Sequence, residues 1–180
     1  MDAQSPSADP VCRVLQGFQK GLQHATCHFC QRRGGYNGLV FRGTLRCGTH
    51  VAVKNSDPTS SQAEIKVLGR VRHPNIVTLI GFAFPGSLVY ELASADLRAR
   101  LYLDSELHWQ ARLQIAHDIS KGLAFLQGCR PKVFHRDIKL DNVLLDFRGT
   151  AKVADFGMAV LSETSTFNSE VVGWAPMPKI

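Results

Sequence analysis

The sequence predicts an α+β fold of two lobes with a cleft between them, and three observations carry that expectation. Runs of strand character occupy residues 34–54 and 76–92. One long stripe at helical spacing runs from Trp109 to Leu126. Acidic, amide and basic side chains then gather in the short apolar pieces that follow it. Strands first and helices second is the order of a small β-rich lobe followed by a helical one.

The elements follow in order. Residues 1–10 are small, polar and proline-containing, and read as a disordered tail. Over residues 11–29 the side chains Val11, Val14, Leu15, Phe18 and Leu22 share a helical face. LVFRGTL and THVAVK, separated by Arg46-Cys47-Gly48, read as a β-hairpin. Helical spacing returns over residues 61–71, with Ile65 and Leu68 one turn apart, and His73-Pro74 is expected to end that helix. IVTLIGFAF and SLVYEL read as a pair of buried strands. Trp109, Leu113, Ala116, Ile119, Leu123 and Leu126 form the apolar stripe of a helix with Ser105 as its cap and Gly128 and Pro131 at its close. VFH, NVLLD and AKVADF have the length of small strands beside loops.

Composition narrows the function classes. A chain of 180 residues with 44% hydrophobic and 20% charged residues has the makings of one packed domain. Its net charge of +6 is scattered, with no basic run longer than Arg32-Arg33, so nucleic acid is not the expected partner. MDAQSPSADP has no apolar core and is no signal peptide. The uncharged stretch 74–90 is broken by Gly81, Pro85 and Gly86, which argues against a membrane span. Cysteines at 12, 27, 30, 47 and 129 lack framework spacing and suit a reducing, cytoplasmic setting. His24, Cys27, His28 and Cys30 have no second ligand pair to close a structural zinc site.

The chemistry concentrates in HRDIKLDNVLLD, His135 to Asp146, with Asp155-Phe156-Gly157 beginning nine residues later. Phosphoryl transfer needs little covalent work from a protein; it needs placement and neutralised charge. A carboxylate must accept the hydrogen bond of the acceptor hydroxyl, a cation must steady the migrating group, and hard oxygen ligands must hold magnesium. Asp137, Lys139, Asn142 and Asp155 supply those groups at the spacing of phosphoryl-transferring catalytic loops. Upstream, Val51-Ala52-Val53-Lys54 resembles the kinase strand whose lysine touches the α- and β-phosphates. Glu64, followed by Leu68 and HPNIV, is its expected partner. Gly35-Tyr36-Asn37-Gly38-Leu39-Val40 is similar to the end of a glycine-rich phosphate loop, with Arg33 where a first glycine would stand.

From about residue 18 to 173 the chain resembles a eukaryotic protein kinase domain of the Ser/Thr type. Its closest form is the plant receptor-like kinases and their animal Pelle-type relatives. Phe18, Leu22, Ala25-Thr26 and Phe29 match the FxxxLxxATxxF pattern of that family, and RVRHPNIVTLIGF, LVYEL and GLAFL are similar to it as well. The resemblance implies a bilobal kinase fold with ATP and Mg²⁺ between the lobes. The N-lobe would cover about 30–92, and a partial, helical C-lobe about 93–180. It places Tyr90 at the back of the ATP pocket, Glu91 to Ala93 on the hinge, and Val40, Ala52 and Leu144 around the adenine. Leu68, Leu79, His135 and Phe156 would stack as a spine between the lobes. Lys139 in IKLDN favours Ser/Thr acceptors over Tyr. Ser162, Thr164, Ser165, Thr166 and Ser169 fall where this family is phosphorylated, with Arg136 as a ready partner for the phosphate.

Two departures qualify these expectations. Lys54 and Glu64 are ten positions apart, shorter than the family's usual separation, so the start of the regulatory helix is expected to be trimmed. After Glu170-Val171-Val172-Gly173 the family has Thr and a YMAPE-like ending, where this chain has WAPMPKI, so the C-lobe is expected to be incomplete. The sequence thus reads as an ATP-dependent protein Ser/Thr kinase acting in signalling, with protein substrates and an upstream receptor or scaffold as partners. A catalytically inactive fragment that serves as an interaction or competitor module is the alternative.

Overall fold

The structure, a computed structural model, describes residues 33–35, 38–45, 47–83, 86–103 and 107–162. The tail and helix expected over 1–29, the Ser105 cap and the hydroxyls beyond Ser162 lie outside the described residues. Five antiparallel strands form the first sheet: β1 (Arg33–Gly35), β2 (Gly38–Thr44), β3 (His50–Asn55), β4 (Leu79–Ala83) and β5 (Ser87–Glu91), in the order β1-β2-β3-β5-β4. Gly48, at φ +84°, makes the β2–β3 turn possible, since a left-handed backbone is strained for residues with a Cβ. Helix α1 (Pro58–Leu68) lies between β3 and β4.

The second half is built on helices α2 (Leu97–Leu103) and α3 (Trp109–Gly128), with short strands around them. These strands are β6 (Ala95–Asp96), β7 (Lys132–Phe134), β8 (Val143–Leu145), β9 (Ala151–Val153) and β10 (Val160–Ser162). They pair as β6-β8-β9 and β10-β7. The α+β, bilobal reading therefore holds.

One apolar cluster joins the two halves. Val67, Leu68 and Val71 meet Leu79, Leu88 and Tyr90 above, and Leu126, Val133, Val153 and Phe156 below. The segment between α1 and β4 is laced to β9: Val153 N–H donates to Asn75 O and Val77 N–H donates to Val153 O, both at 2.9 Å. A smaller cluster of Leu97, Leu107, Ile115, Val143, Leu145 and Ala151 sits under α3.

Four local readings are corrected. Helix α1 starts at Pro58, because Asp57 caps it by accepting the Ser60 N–H. It ends at Leu68, before His73-Pro74. Strand β4 lies at the sheet edge, and its Ile80 and Phe82 are exposed where a buried strand was expected, while Leu79 is buried. Helix α2 was not foreseen; Asp96 caps it through the Ala99 N–H at 2.7 Å. On α3 the buried line is Ile115, Asp118, Gly122 and Leu126. Ile119 and Leu123 also pack on the core, but Trp109, Leu113 and Ala116 are exposed.

The rotation of α3 has a polar cause. Asp118 Oδ2 accepts the buried Ala151 N–H at 3.1 Å, which would otherwise lack a partner. Gly122 lets the Asn75 carbonyl approach so closely that a Cβ would stand 2.7 Å from it. Both residues are drawn inward by backbone needs, which an apolar stripe does not register.

Candidate active site

The site is assembled at the junction of the two halves. Strand β3 pairs with β2 on one side and β5 on the other, which fixes Lys54 opposite Val40 and Leu88. From there the Lys54 ammonium reaches the Glu64 carboxylate of α1 and lies 2.8 Å from Asp155 Oδ1. Tyr90, on β5, donates its hydroxyl to the other Glu64 oxygen. Lys54, Glu64 and Tyr90 are all buried.

Burial opposes charge on Lys54, but the Glu64 and Asp155 carboxylates outweigh it and hold the ammonium above its ordinary pKa. Burial pushes the Glu64 carboxyl up, against the pull of Lys54. The Tyr90 phenol is driven well up, first by burial and then by the Glu64 charge beside it.

The loop after β7 holds the second group. The Lys139 ammonium lies 2.7 Å from Asp137 Oδ2. Asn142 Nδ2 donates to the same oxygen at 2.8 Å and to the Asp137 carbonyl at 2.9 Å. A short 3₁₀ turn, Leu140–Asn142, carries Asn142 back beneath Asp137. The Ala154 N–H donates to Asn142 O at 2.9 Å, which ties this loop to the residue before Asp155. Arg136 (φ +70°) and Asp155 (φ +65°) hold left-handed conformations that non-glycine residues seldom adopt, and both flank or form the site.

His135 sits beneath both groups. Its Nε2 lies 2.9 Å from Ala154 O, while its Nδ1 accepts the Asp137 N–H at 3.3 Å. Those partners select the neutral ring with its proton on Nε2, and burial lowers its pKa accordingly. A depressed histidine pKa means the folded state binds fewer protons than the unfolded one. Stability from this residue is therefore present above the unfolded value of about 6.5 and is lost as pH falls below it toward the folded pKa. Urea unfolding at pH 5 and pH 7 should show a smaller acid loss for His135→Phe than for the wild type; equal losses would remove the assignment.

The remaining residues expected at the site are placed as follows. Gly35 stands opposite Gly38 in the β1–β2 register, with Tyr36 and Asn37 outside the described residues. Val40 is 37% exposed, whereas Ala52 and Leu144 pack against the joining cluster from opposite lobes. Glu91 has its N–H on Thr78 O, and its carboxylate accepts the Thr78 N–H at 2.8 Å and meets Lys152 at 3.1 Å. Ala93 is half-buried just beyond. Leu68, Leu79, His135 and Phe156 are buried, with the His135 and Phe156 rings 4.6 Å apart.

Besides the Lys54–Asp155 contact, sequence reasoning missed two others here. Arg98 of α2 grips Asp141 with two parallel bonds of 2.6 and 2.8 Å, next to Asn142. This contact holds the Asp141 carboxyl below its ordinary pKa. The Tyr90–Glu64 bond was not foreseen either, since Tyr90 was placed only at the back of the pocket. Nothing in the spacing of either pair announces a contact.

The donor set suits a hard divalent cation. Asp155 offers carboxylate oxygen. With its NH₂ spent on Asp137, Asn142 has its amide oxygen left to offer. Mg²⁺ uses one or two such protein ligands beside phosphate oxygens and waters. Among the described residues no group of three or more His, Cys, Asp or Glu forms an all-protein metal cage. No helix among them is long and apolar enough to cross a membrane.

A family model described as protein tyrosine and serine/threonine kinase matches residues 33–176. A proline-rich receptor-like protein kinase of Arabidopsis thaliana is 41% identical over 190 residues, covering 89% of this chain and 26% of that protein. A probable receptor-like serine/threonine-protein kinase of the same plant is 42% identical over 159 residues, covering 78% and 36%. A G-type lectin S-receptor-like serine/threonine-protein kinase of Oryza sativa subsp. japonica is 38% identical over 154 residues, covering 78% and 19%. The chain thus spans between 19% and 36% of the length of these relatives. With a family match over most of its length and a fold to suit it, the chain belongs to the protein tyrosine and serine/threonine kinase family.

Proposed function

We propose that the chain transfers the γ-phosphoryl group of Mg·ATP to Ser or Thr hydroxyls of proteins, as part of a receptor-like signalling kinase. The observation that carries this reading is the pair of joined groups, Lys54–Glu64–Asp155 and Asp137–Lys139–Asn142, connected through the Ala154–Asn142 backbone bond. Lys54, steadied by Glu64, orients the α- and β-phosphates. Asp137 accepts the hydrogen bond of the acceptor hydroxyl and aims its oxygen, and Lys139 lies close enough to steady the moving phosphoryl group. Asn142 and Asp155 would hold the magnesium, which when bound neutralises phosphate charge. Gly35 and Gly38 cover the phosphates, while Val40, Ala52 and Leu144 enclose the adenine between Tyr90 and the hinge at Glu91 to Ala93.

The Ser/Thr preference, the signalling role and an upstream receptor or scaffold are supported by the names of the relatives and by Lys139 in IKLDN. The test is transfer of label from γ-³²P-ATP to protein substrates, followed by phosphoamino-acid analysis. Phosphoserine and phosphothreonine are expected. Label confined to phosphotyrosine, or no Mg²⁺-dependent label, would overturn the reading.

A further inference from the structure

The joint between β3 and α1 is unusually tight. Strand β3 ends at Asn55 and α1 begins at Pro58, so Ser56 and Asp57 are the whole connection. The three Cα-to-Cα steps from Asn55 to Pro58 reach about 11 Å at most. The start of α1 therefore stays beside the end of β3 unless its first turn unwinds, and that turn is closed by the Asp57 cap at 2.9 Å.

Hydroxyl groups stitch this same turn to the β4–β5 connection. Ser61, 1% exposed, donates to Gly86 O at 3.2 Å, and its Oγ lies 2.8 Å from Ser56 Oγ. The Ser56 N–H donates to the same Gly86 carbonyl at 3.0 Å. Gly86 has φ +81°, and a Cβ there would collide with the Ser56 carbonyl. Close approach at this point therefore depends on glycine. Ser61 and Glu64 are three residues apart, hence neighbours on one helix face, and Glu64 is fully buried. What fixes the rotation and height of Ser61 fixes those of Glu64.

We propose that Ser61, with Ser56 and Gly86, is a positioning site for the Lys54–Glu64 pair. The hydroxyl clamp seats α1 against the β4–β5 turn, so Glu64 meets Lys54 without an outside partner pressing the helix into place. The inference rests on the reading of Lys54 and Glu64 as the nucleotide-orienting pair. It differs from a general packing role because it acts on one side chain through one helix turn.

The experiment measures two quantities on the chain: amide hydrogen exchange over residues 64–68, and affinity for a fluorescent ATP analogue with Mg²⁺. Combined Ser56→Ala and Ser61→Ala should speed α1 exchange about tenfold and weaken the analogue severalfold. Gly86→Ala should act in the same direction. Ser56→Thr keeps the hydroxyl and should behave as wild type. In a Glu64→Gln background the double alanine change should no longer affect affinity, because the clamp then has no ionic pair to position. Unchanged α1 exchange in the double variant overturns the clamp. Faster exchange with unchanged affinity, while Lys54→Met weakens the analogue, overturns its link to the pair. If Lys54→Met itself leaves affinity intact, the nucleotide reading falls, and α1 exchange alone decides the clamp.

Discussion

Asp137→Ala and Asp155→Ala are expected to remove measurable phosphoryl transfer, and to do so by separable routes. Asp137 receives Lys139 and Asn142 on one carboxylate oxygen and stands beside the strained Arg136. In the proposed mechanism this carboxylate acts mainly on the acceptor hydroxyl as transfer proceeds, and such groups are worth about 10²–10⁴-fold in rate. The Asp137 variant should accordingly lose kcat while binding Mg·ATP almost as before. Asp155 is the carboxylate that would hold the cation, and its loss also deprives Lys54 of a partner at 2.8 Å. That variant should lose both turnover and the Mg²⁺ dependence of nucleotide affinity. Steady-state kinetics paired with calorimetric titration of Mg·ATP separates the two, and undiminished transfer by either variant would remove the assigned mechanism.

Lys54→Met should lower activity on the order of 10²-fold, with Glu64→Ala milder at about tenfold, because in the proposed mechanism both act through placement of the phosphates. The difference follows from their proposed roles. In that reading Lys54 makes the phosphate contact itself, whereas Glu64 directs it. Without Glu64, the lysine still has Asp155 at 2.8 Å to hold it near the site. Removing Glu64 also leaves the Tyr90 hydroxyl without its carboxylate acceptor in a buried position, so part of the loss should appear as reduced stability. Turnover of the two variants beside Tyr90→Phe, with unfolding midpoints, checks this. Full activity of Glu64→Ala would show that the lysine is oriented by another group.

Much of the framework was legible from local chemistry. Alternating β-branched residues ending at Lys54 give β3, and the apolar runs around Gly86 give β4 and β5, because side-chain period and turn residues are local properties. His135 to Gly157 is a compact stretch of chain, so its spacing already limits which groups can meet. The faces of elements were harder. On α3 the stripe through Trp109 and Leu113 was the more apolar one, yet the helix turned Asp118 and Gly122 inward. Asp118 satisfies the Ala151 N–H and Gly122 admits the Asn75 carbonyl. Periodicity counts greasy residues and is blind to unpaired backbone groups elsewhere in the fold.

The sequence by itself determined the two-lobed α+β class and the types and order of the chemical groups. It also set the ten-residue separation of Lys54 and Glu64, which forces α1 to start almost directly after β3. Only the tertiary structure decided which groups touch across long separations. Tyr90 comes to Glu64 from 26 residues away, Arg98 to Asp141 from 43, and Asp155 to Lys54 from 101. Such contacts depend on how sheet, helix and loop pack around Leu68 and Phe156, and on which buried polar groups must find partners. No local pattern encodes a partner that distant, because its geometry exists only once the core has closed.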